Sequence, residues 1–235
     1  MGGPVALGWS ATVRRRLEEE RTLAIFDLSH TLHHGTRTYP SFPPVSVSDY
    51  WDHQNEGWQI SQVTFVSSSG TYLDAPLHRY ADGLSVAELP LDSCVDLPGI
   101  KITAAEAKIE ASILGVDADQ LAGKAVLVQT GWSQKWGTPE YRKQGDHPGL
   151  SDLAVDYLKD AGVRLVGIDS LNIDYLASDS DDVHGHNRFL EAGIPIVEQL
   201  TNLSALPADG FRFFAAPLAL AKTGTCPVRA YAITA

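Results

Sequence analysis

The chain has few cysteines and comparatively few basic residues. Its 235 residues include two cysteines, Cys94 and Cys226, too few for a disulfide framework or a thiolate metal cluster. We expect both to be reduced, structural thiols in a cytoplasmic protein. Eighteen Lys and Arg against 29 Asp and Glu give a net charge of −11, which argues against a nucleic-acid partner.

Long apolar runs are also missing. No stretch of the sequence approaches the roughly 18 apolar residues of a membrane span, and residues 1–10 lack the pattern of a secretory signal. We therefore expect no membrane partner. A phosphate-binding loop, a nucleophile elbow and a dinucleotide fingerprint are absent from the sequence too.

The periodicity of the chain predicts many strands and few helices. A charged lead-in helix is predicted within residues 1–22, and residues 23–235 form a single domain. A helical stripe over 152–161 ends at Gly162, and a shorter helix over 186–192 ends at Gly193. Short runs rich in β-branched and aromatic residues predict strands at 23–26, 60–66, 125–129, 164–168, 194–197, 211–215 and 228–233.

Residues 65–78 carry the most information about function. An extended run enters a small-residue turn at Gly70, then meets Asp74, Pro76 and His78. Pro76 suits the first turn of a helix, with Asp74 or Ala75 as its cap. The spacing alone leaves two interpretations open: a structural strand-to-helix corner, or an Asp and a His that bind a metal or share a proton.

The same segment resembles the signature of the cyclase family, His-x-Gly-Thr-His-x-Asp-x-Pro-x-His. This is a family of metal-dependent amidohydrolases similar to kynurenine formamidase and isatin hydrolase. Five positions match in register: Gly70, Thr71, Asp74, Pro76 and His78. Ser68 and Tyr72 stand where the family has its first two histidines.

The resemblance continues through most of the chain from about residue 23. It includes Asp27-Leu28-Ser29, the Thr130-Gly131-Trp132 turn, the run 167–170, and a distal pair formed by His186 and Glu198. The resemblance implies an α/β fold of the swivelling β/β/α type with a central β-barrel-like core. It also implies a homodimer or homotetramer that acts on a small-molecule substrate.

The resemblance further implies a reduced metal site. In the family, the first two motif histidines and the aspartate hold one metal, and the same aspartate holds a second metal with the distal histidine and glutamate. Carried over, this leaves Asp74, His186 and Glu198 as metal ligands, with His78 as general acid and base. We expect at most one Zn²⁺ or Mn²⁺ per site, and a site with no metal is the alternative.

Three functions follow from this pattern. The first is a hydrolase of a C–N bond in a small aryl formamide, cyclic amide or related ester. The second is a metal-free cyclase or isomerase in a biosynthetic pathway, with His78, Asp74 and Tyr72 as its catalytic residues and the Tyr72 hydroxyl donating to an oxyanion. The third is a catalytically silent homologue that binds a small molecule.

Several other residues are candidates for the substrate site. Ser68, Trp58 and His184 are candidate substrate contacts, and His184 is also a reserve ligand. Trp51 and Trp58 either form an aromatic wall or pack in the core, and core packing is favoured. The histidines at 30, 33 and 34 leave open whether one reaches the site, and Asp181 and Asp182 are interpreted as loop solvation.

Overall fold

The computed structural model describes residues 23–143, 145–176 and 183–234. Over these residues the chain forms strands joined by short helices and 3₁₀ turns. The strands are β1 (Ala24–Asp27), β2 (Ser46–Trp51), β3 (Ile60–Thr64), β4 (Tyr72–Asp74), β5 (Leu97–Thr103), β6 (Lys108–Ile109), β7 (Ala125–Gln129), β8 (Gly149–Leu150), β9 (Leu165–Ile168), β10 (Ile196–Glu198), β11 (Phe211–Phe214), β12 (Thr225–Pro227) and β13 (Tyr231–Thr234). The helices are α1 (Ala111–Leu114), α2 (Ala118–Leu121), α3 (Asp152–Asp160) and α4 (His184–Glu191).

One nine-stranded sheet organises the fold. Its order is β1-β13-β11-β5-β7-β9-β10-β4-β12, and it curls into a half barrel. Strands β5, β7, β9 and β10 run parallel, whereas the strands on either side of them pair antiparallel. Two small pairs, β2–β3 and β6–β8, lie outside this sheet. The predicted α/β class with a barrel-like core is confirmed.

The two faces of the sheet bury separate apolar clusters. Successive side chains of a strand point to opposite faces, so Leu127 and Leu165 join one cluster while Val126 and Val166 join the other. The second cluster is covered by α3 and α4. Burial on both faces explains why β7 and β9 are almost wholly apolar.

The helix ends agree with the sequence. Helix α3 ends one residue before its predicted limit, and Gly162 follows with a φ of 75°. Helix α4 begins two residues earlier than predicted, at His184, and Gly193 follows it with a φ of 71°. Both glycines adopt the left-handed geometry expected of a C-terminal cap.

The structure also departs from the sequence predictions. The two tryptophans do not pack in the core: Trp51 is 43% and Trp58 is 70% exposed, because the β2–β3 hairpin presents both to solvent. Of the two predicted caps, Ala75 and not Asp74 holds that position before the 3₁₀ turn Pro76–His78. Strands β2, β4, β5, β6, β8 and β12 were not predicted.

Some expectations are not tested by the fold. The predicted lead-in helix, Asp181 and Asp182 lie outside the described residues. Among the described residues, no helix has the length and apolar character needed to cross a bilayer. The cytoplasmic location stays a prediction.

The cap of α3 gives a test of this architecture. The Ser151 hydroxyl accepts a hydrogen bond from the Ala154 N–H at 3.2 Å, and Ser151 is buried. We expect Ser151→Ala to lower the free energy of unfolding by about 0.5–2 kcal/mol, measured by urea denaturation. Ser112→Ala, on the exposed side of α1, is the control, and equal losses in the two variants would contradict the capping role.

Candidate active site

Strand β4 places two functional side chains on one face of the sheet. Tyr72 and Asp74 point to the same side, and Leu73 between them enters the core. The register pairs Glu198 of β10 with Tyr72, and Thr225 of β12 with Asp74. Directly paired residues share a face, so three neighbouring strands contribute polar side chains to one surface.

The corner after β4 carries His78. Its Nε2 atom lies 3.9 Å from Asp74 Oδ1, and its side chain is 37% exposed. Two glycines pack closely against this corner. A Cβ on Gly224 would lie 2.6 Å from the His78 backbone nitrogen, and one on Gly83 would lie 2.6 Å from the Pro76 carbonyl carbon. His78 is therefore held at the edge of the cluster by tight backbone packing.

Helix α4 brings His186 into the same space. His186 is 4% exposed, and its Nε2 atom lies 3.9 Å from Asp74 Oδ2 and 3.6 Å from Glu198 Oε1. The rings of His186 and His78 have centroids 5.7 Å apart. The structure thus brings together the carboxylates and imidazoles that the sequence proposed as a site.

Glu198 is held by two donors. The Ile173 N–H donates to its Oε1 atom at 2.6 Å, and the Tyr72 hydroxyl donates to its Oε2 atom through a very short contact. Both Tyr72 and Glu198 are buried. Because the Tyr72 hydroxyl is already committed to Glu198, it must leave that partner before it can donate to an oxyanion.

Asp174 is a residue that the sequence analysis missed. Its carboxylate accepts a hydrogen bond from His186 Nδ1 at 2.6 Å, and it is buried. The available signal was its position, in the loop between the strand end at Ser170 and the distal histidine. That signal is weak, because a loop aspartate is usually solvated.

Ser68 is engaged with other hydroxyl groups. Its Oγ donates to Thr225 Oγ1 at 3.1 Å, and Thr225 donates in turn to Ser67 Oγ at 2.6 Å. Thr225 is paired with Asp74 in the sheet. Ser68 therefore lies close to the cluster, where the family motif has a histidine.

Buried negative charge dominates the electrostatics of the cluster. Burial and the Glu198 carboxylate raise the pKa of Asp74 well above its ordinary value, and burial also raises the pKa of Glu198. Burial opposes a charged His186, yet Glu198 and the bond to Asp174 raise its pKa to about 9. Burial, with help from His186 and Arg79, lowers the pKa of His78 to about 4.

The cluster contains a possible three-residue site for a metal ion. Both oxygens of Asp74 are buried without a hydrogen-bond donor among the described residues, although buried carboxylates normally have one. Two ligands at about 2.1 Å from an ion are at most about 4.2 Å apart. The distances from His186 to Asp74 and Glu198, 3.9 and 3.6 Å, satisfy this limit. Among the described residues, the group whose ligand atoms all lie within 4.8 Å of one another is Asp74, His78 and His186. Glu198 does not belong to that group, so its place in a ligand set with Asp74 and His186 stays a prediction.

Two candidate substrate contacts lie apart from the cluster. His184 is two residues before His186, about 200° around the helix, and its Nε2 lies 3.4 Å from Asp156 of α3. Trp58 lies on the exposed hairpin. Their contact with a substrate stays a prediction.

The three clustered histidines separate in the structure. His30 stacks on Trp136 with ring centroids 3.9 Å apart, and burial lowers its pKa to about 4. His33 and His34 are exposed. Of the three, His30 alone is built into the packed part of the described chain.

The chain is similar to known proteins in sequence and in fold. Residues 26–175 match the family model described as "Putative cyclase". A kynurenine formamidase from Geobacillus thermodenitrificans (strain NG80-2) is 30% identical over 210 residues, which cover 87% of this chain and 94% of that protein.

Solved structures share the fold. An isatin hydrolase bound to the product analogue thioisatinate aligns with a TM-score of 0.81 at 21% identity, covering 96% of this chain and 97% of that one. A potential metal-dependent hydrolase with cyclase activity aligns with a TM-score of 0.75 at 23% identity, covering 91% and 98%. The family match and the shared motif residues show that this chain belongs to the cyclase family.

Proposed function

We propose that the protein is a metal-assisted hydrolase of a C–N bond in a small aryl formamide, cyclic amide or related ester. The observation that carries the proposal is the Asp74 carboxylate, which is buried beside His186 and Glu198 and has no hydrogen-bond donor in the part of the chain that the structure describes. Its relatives include a kynurenine formamidase and, by fold, an isatin hydrolase. Both names describe hydrolysis of a C–N bond next to a carbonyl group.

Asp74, His186 and Glu198 are the proposed ligands of one Zn²⁺ or Mn²⁺. These carboxylate and imidazole donors suit either ion. When bound, the ion supplies Lewis-acid chemistry that polarises the scissile carbonyl. We propose no more than one ion per site, because Tyr72 and Ser68 replace two imidazole ligands of the family motif.

His78 is the proposed general acid and base. It is the exposed member of the cluster, 3.9 Å from Asp74, and can exchange protons with solvent. It accepts a proton as water adds to the carbonyl carbon, and it returns that proton to the nitrogen as the C–N bond breaks. The products are a carboxylic acid and an amine. Tyr72 orients Glu198 through the hydroxyl hydrogen bond.

Loss of the His78 ring tests this role. We expect His78→Ala to lower kcat by about 10²–10⁴-fold, the usual contribution of general acid–base catalysis, with the formamide of kynurenine and isatin as probes. His53→Ala, on the exposed hairpin, is the matched control and should keep full activity. Unchanged turnover in His78→Ala would rule out the assignment.

Metal content tests the ligand set. We expect elemental analysis after Zn²⁺ or Mn²⁺ loading to give one ion per chain, and Asp74→Asn and His186→Gln to lose it, because each removes a donor. Chelation should abolish hydrolysis of the same probes. Full activity without metal would rule out the metal-assisted mechanism.

The double substitution Ser68→His with Tyr72→His is the companion to that experiment. It restores both histidines of the family motif, so we expect the stoichiometry to rise from one ion toward two. Two ions in the unmodified protein would contradict the proposed single site.

We also propose a homodimer or homotetramer, with the β2–β3 hairpin at the contact between copies. The hairpin exposes apolar side chains in a small area, and exposed apolar patches mark interaction surfaces. The exposed fractions range from 43% to 70% for Tyr50, Trp51, Trp58, Ile60 and Val63.

Charge on the hairpin tests this interface. We expect light scattering to give two or four times 25.4 kDa for the protein, and the monomer mass for Trp51→Lys with Trp58→Lys, because interface cores disfavour charge. Leu153→Lys is the control, since Leu153 is also 70% exposed but lies on α3. A monomeric unmodified protein at micromolar concentration would refute the proposal.

A further inference from the structure

Asp174 is anchored where the loop after β9 crosses β8. Its backbone forms a bridge with Leu150, and its N–H donates to Asn172 Oδ1 at 2.8 Å. The following residue, Tyr175, donates its N–H to the Leu150 carbonyl at 3.1 Å. The side chain is almost fully buried, with 2% exposure. The carboxylate is therefore fixed in position by the backbone that carries it.

Both oxygens of this carboxylate accept hydrogen bonds from the start of α4. Oδ1 accepts from the Gly185 N–H through a very short contact. Oδ2 accepts from the His186 N–H at 3.3 Å and from the ring nitrogen Nδ1 at 2.6 Å. One side chain thus satisfies free amides in the first turn of the helix and also binds the imidazole of the same turn.

The residue between the two histidines is adapted to this contact. A Cβ at Gly185 would lie 2.7 Å from Asp174 Oδ1 and 3.3 Å from Val155 Cγ2. A side chain at position 185 would therefore push the carboxylate away from the helix. This close approach explains the glycine in the His184-Gly185-His186 sequence.

We propose that Asp174 is a positioning residue that holds the Nδ1 proton of His186 and directs Nε2 toward Asp74 and Glu198. With Nδ1 as the donor, Nε2 is the nitrogen whose lone pair can face a cation. Its distances of 3.9 and 3.6 Å to the two carboxylates fit that role. A carboxylate partner of this kind also fixes ring orientation and raises ligand basicity.

The substitution Asp174→Asn distinguishes the positioning of His186 from helix capping. Asn is as good a helix cap as Asp, and its single oxygen can still accept from the Gly185 N–H. Its NH₂ group would then meet Nδ1, and two donors cannot pair. A purely structural role predicts no change in metal affinity for Asp174→Asn, whereas a positioning role predicts a loss.

The first measurement is the affinity of purified protein for Zn²⁺, by competition with a chelator. We expect Asp174→Asn to bind Zn²⁺ about 10–100-fold more weakly, the usual effect of removing such a partner. Asp156→Asn is the matched control. Asp156 pairs with His184 and Arg188 of the same helix but lies outside the cluster, so the affinity should stay within about twofold.

The affinity measurement rests on the proposed function, whereas the second measurement does not depend on it. In ¹⁵N-histidine NMR of metal-free protein, we expect a downfield Nδ1 proton for His186, assigned by its absence in His186→Gln. It should vanish in Asp174→Asn and persist in Asp156→Asn. If the unmodified protein does not bind Zn²⁺, the proposed metal site is refuted. The Nδ1 proton signal of His186 would then decide the role of Asp174. A signal or an affinity unchanged in Asp174→Asn overturns the proposal.

Discussion

The burial of two carboxyl groups beside one imidazole is the constraint on which this site depends. Asp74 and Glu198 are both fully buried, and both lie within 4 Å of a single imidazole nitrogen. Isolated buried carboxylates are costly unless they are paired, hydrogen-bonded or bound to a metal. Glu198 has two donors, whereas Asp74 has none among the described residues. The free-energy cost of burying a charged carboxylate therefore falls mainly on Asp74. This carboxylate is the group best placed to bind a cation.

The sheet produces this arrangement through register rather than through local sequence. Strand β4 has only three residues, and β10 and β12 pair with it on either side. Its central Leu73 enters the core, so the residues before and after it must point the other way. A shift of one residue in the β4–β10 register would separate Tyr72 from Glu198 and break the hydrogen bond between them. Core packing and site geometry are thus set by the same pairing.

The sequence predicted the class of fold and the main polar residues, but not their contacts. The apolar runs of β7 and β9 were recognisable because both faces of these strands are buried. Strand β5 was not recognised because it contains Pro98 and Gly99, which are untypical of strands. The proposed site residues came from a motif with fixed spacing. The bond between Tyr72 and Glu198 could not be predicted, because it joins residues 126 positions apart through a sheet register. Asp174 was missed because its contact with His186 also depends on the fold and not on local sequence. The two hairpin tryptophans were wrongly assigned to the core because large aromatic side chains are usually buried.

The close packing around His78 has a consequence for the chemical step. Backbone from two distant parts of the chain, at Gly83 and Gly224, contacts the corner so tightly that neither position has room for a methyl group. The proposed proton-transfer group therefore stands on a rigid support, and such preorganisation adds little reorganisation energy to the barrier of a reaction. The same rigidity restricts both glycine positions, since a side chain at either one would displace the backbone that carries the imidazole.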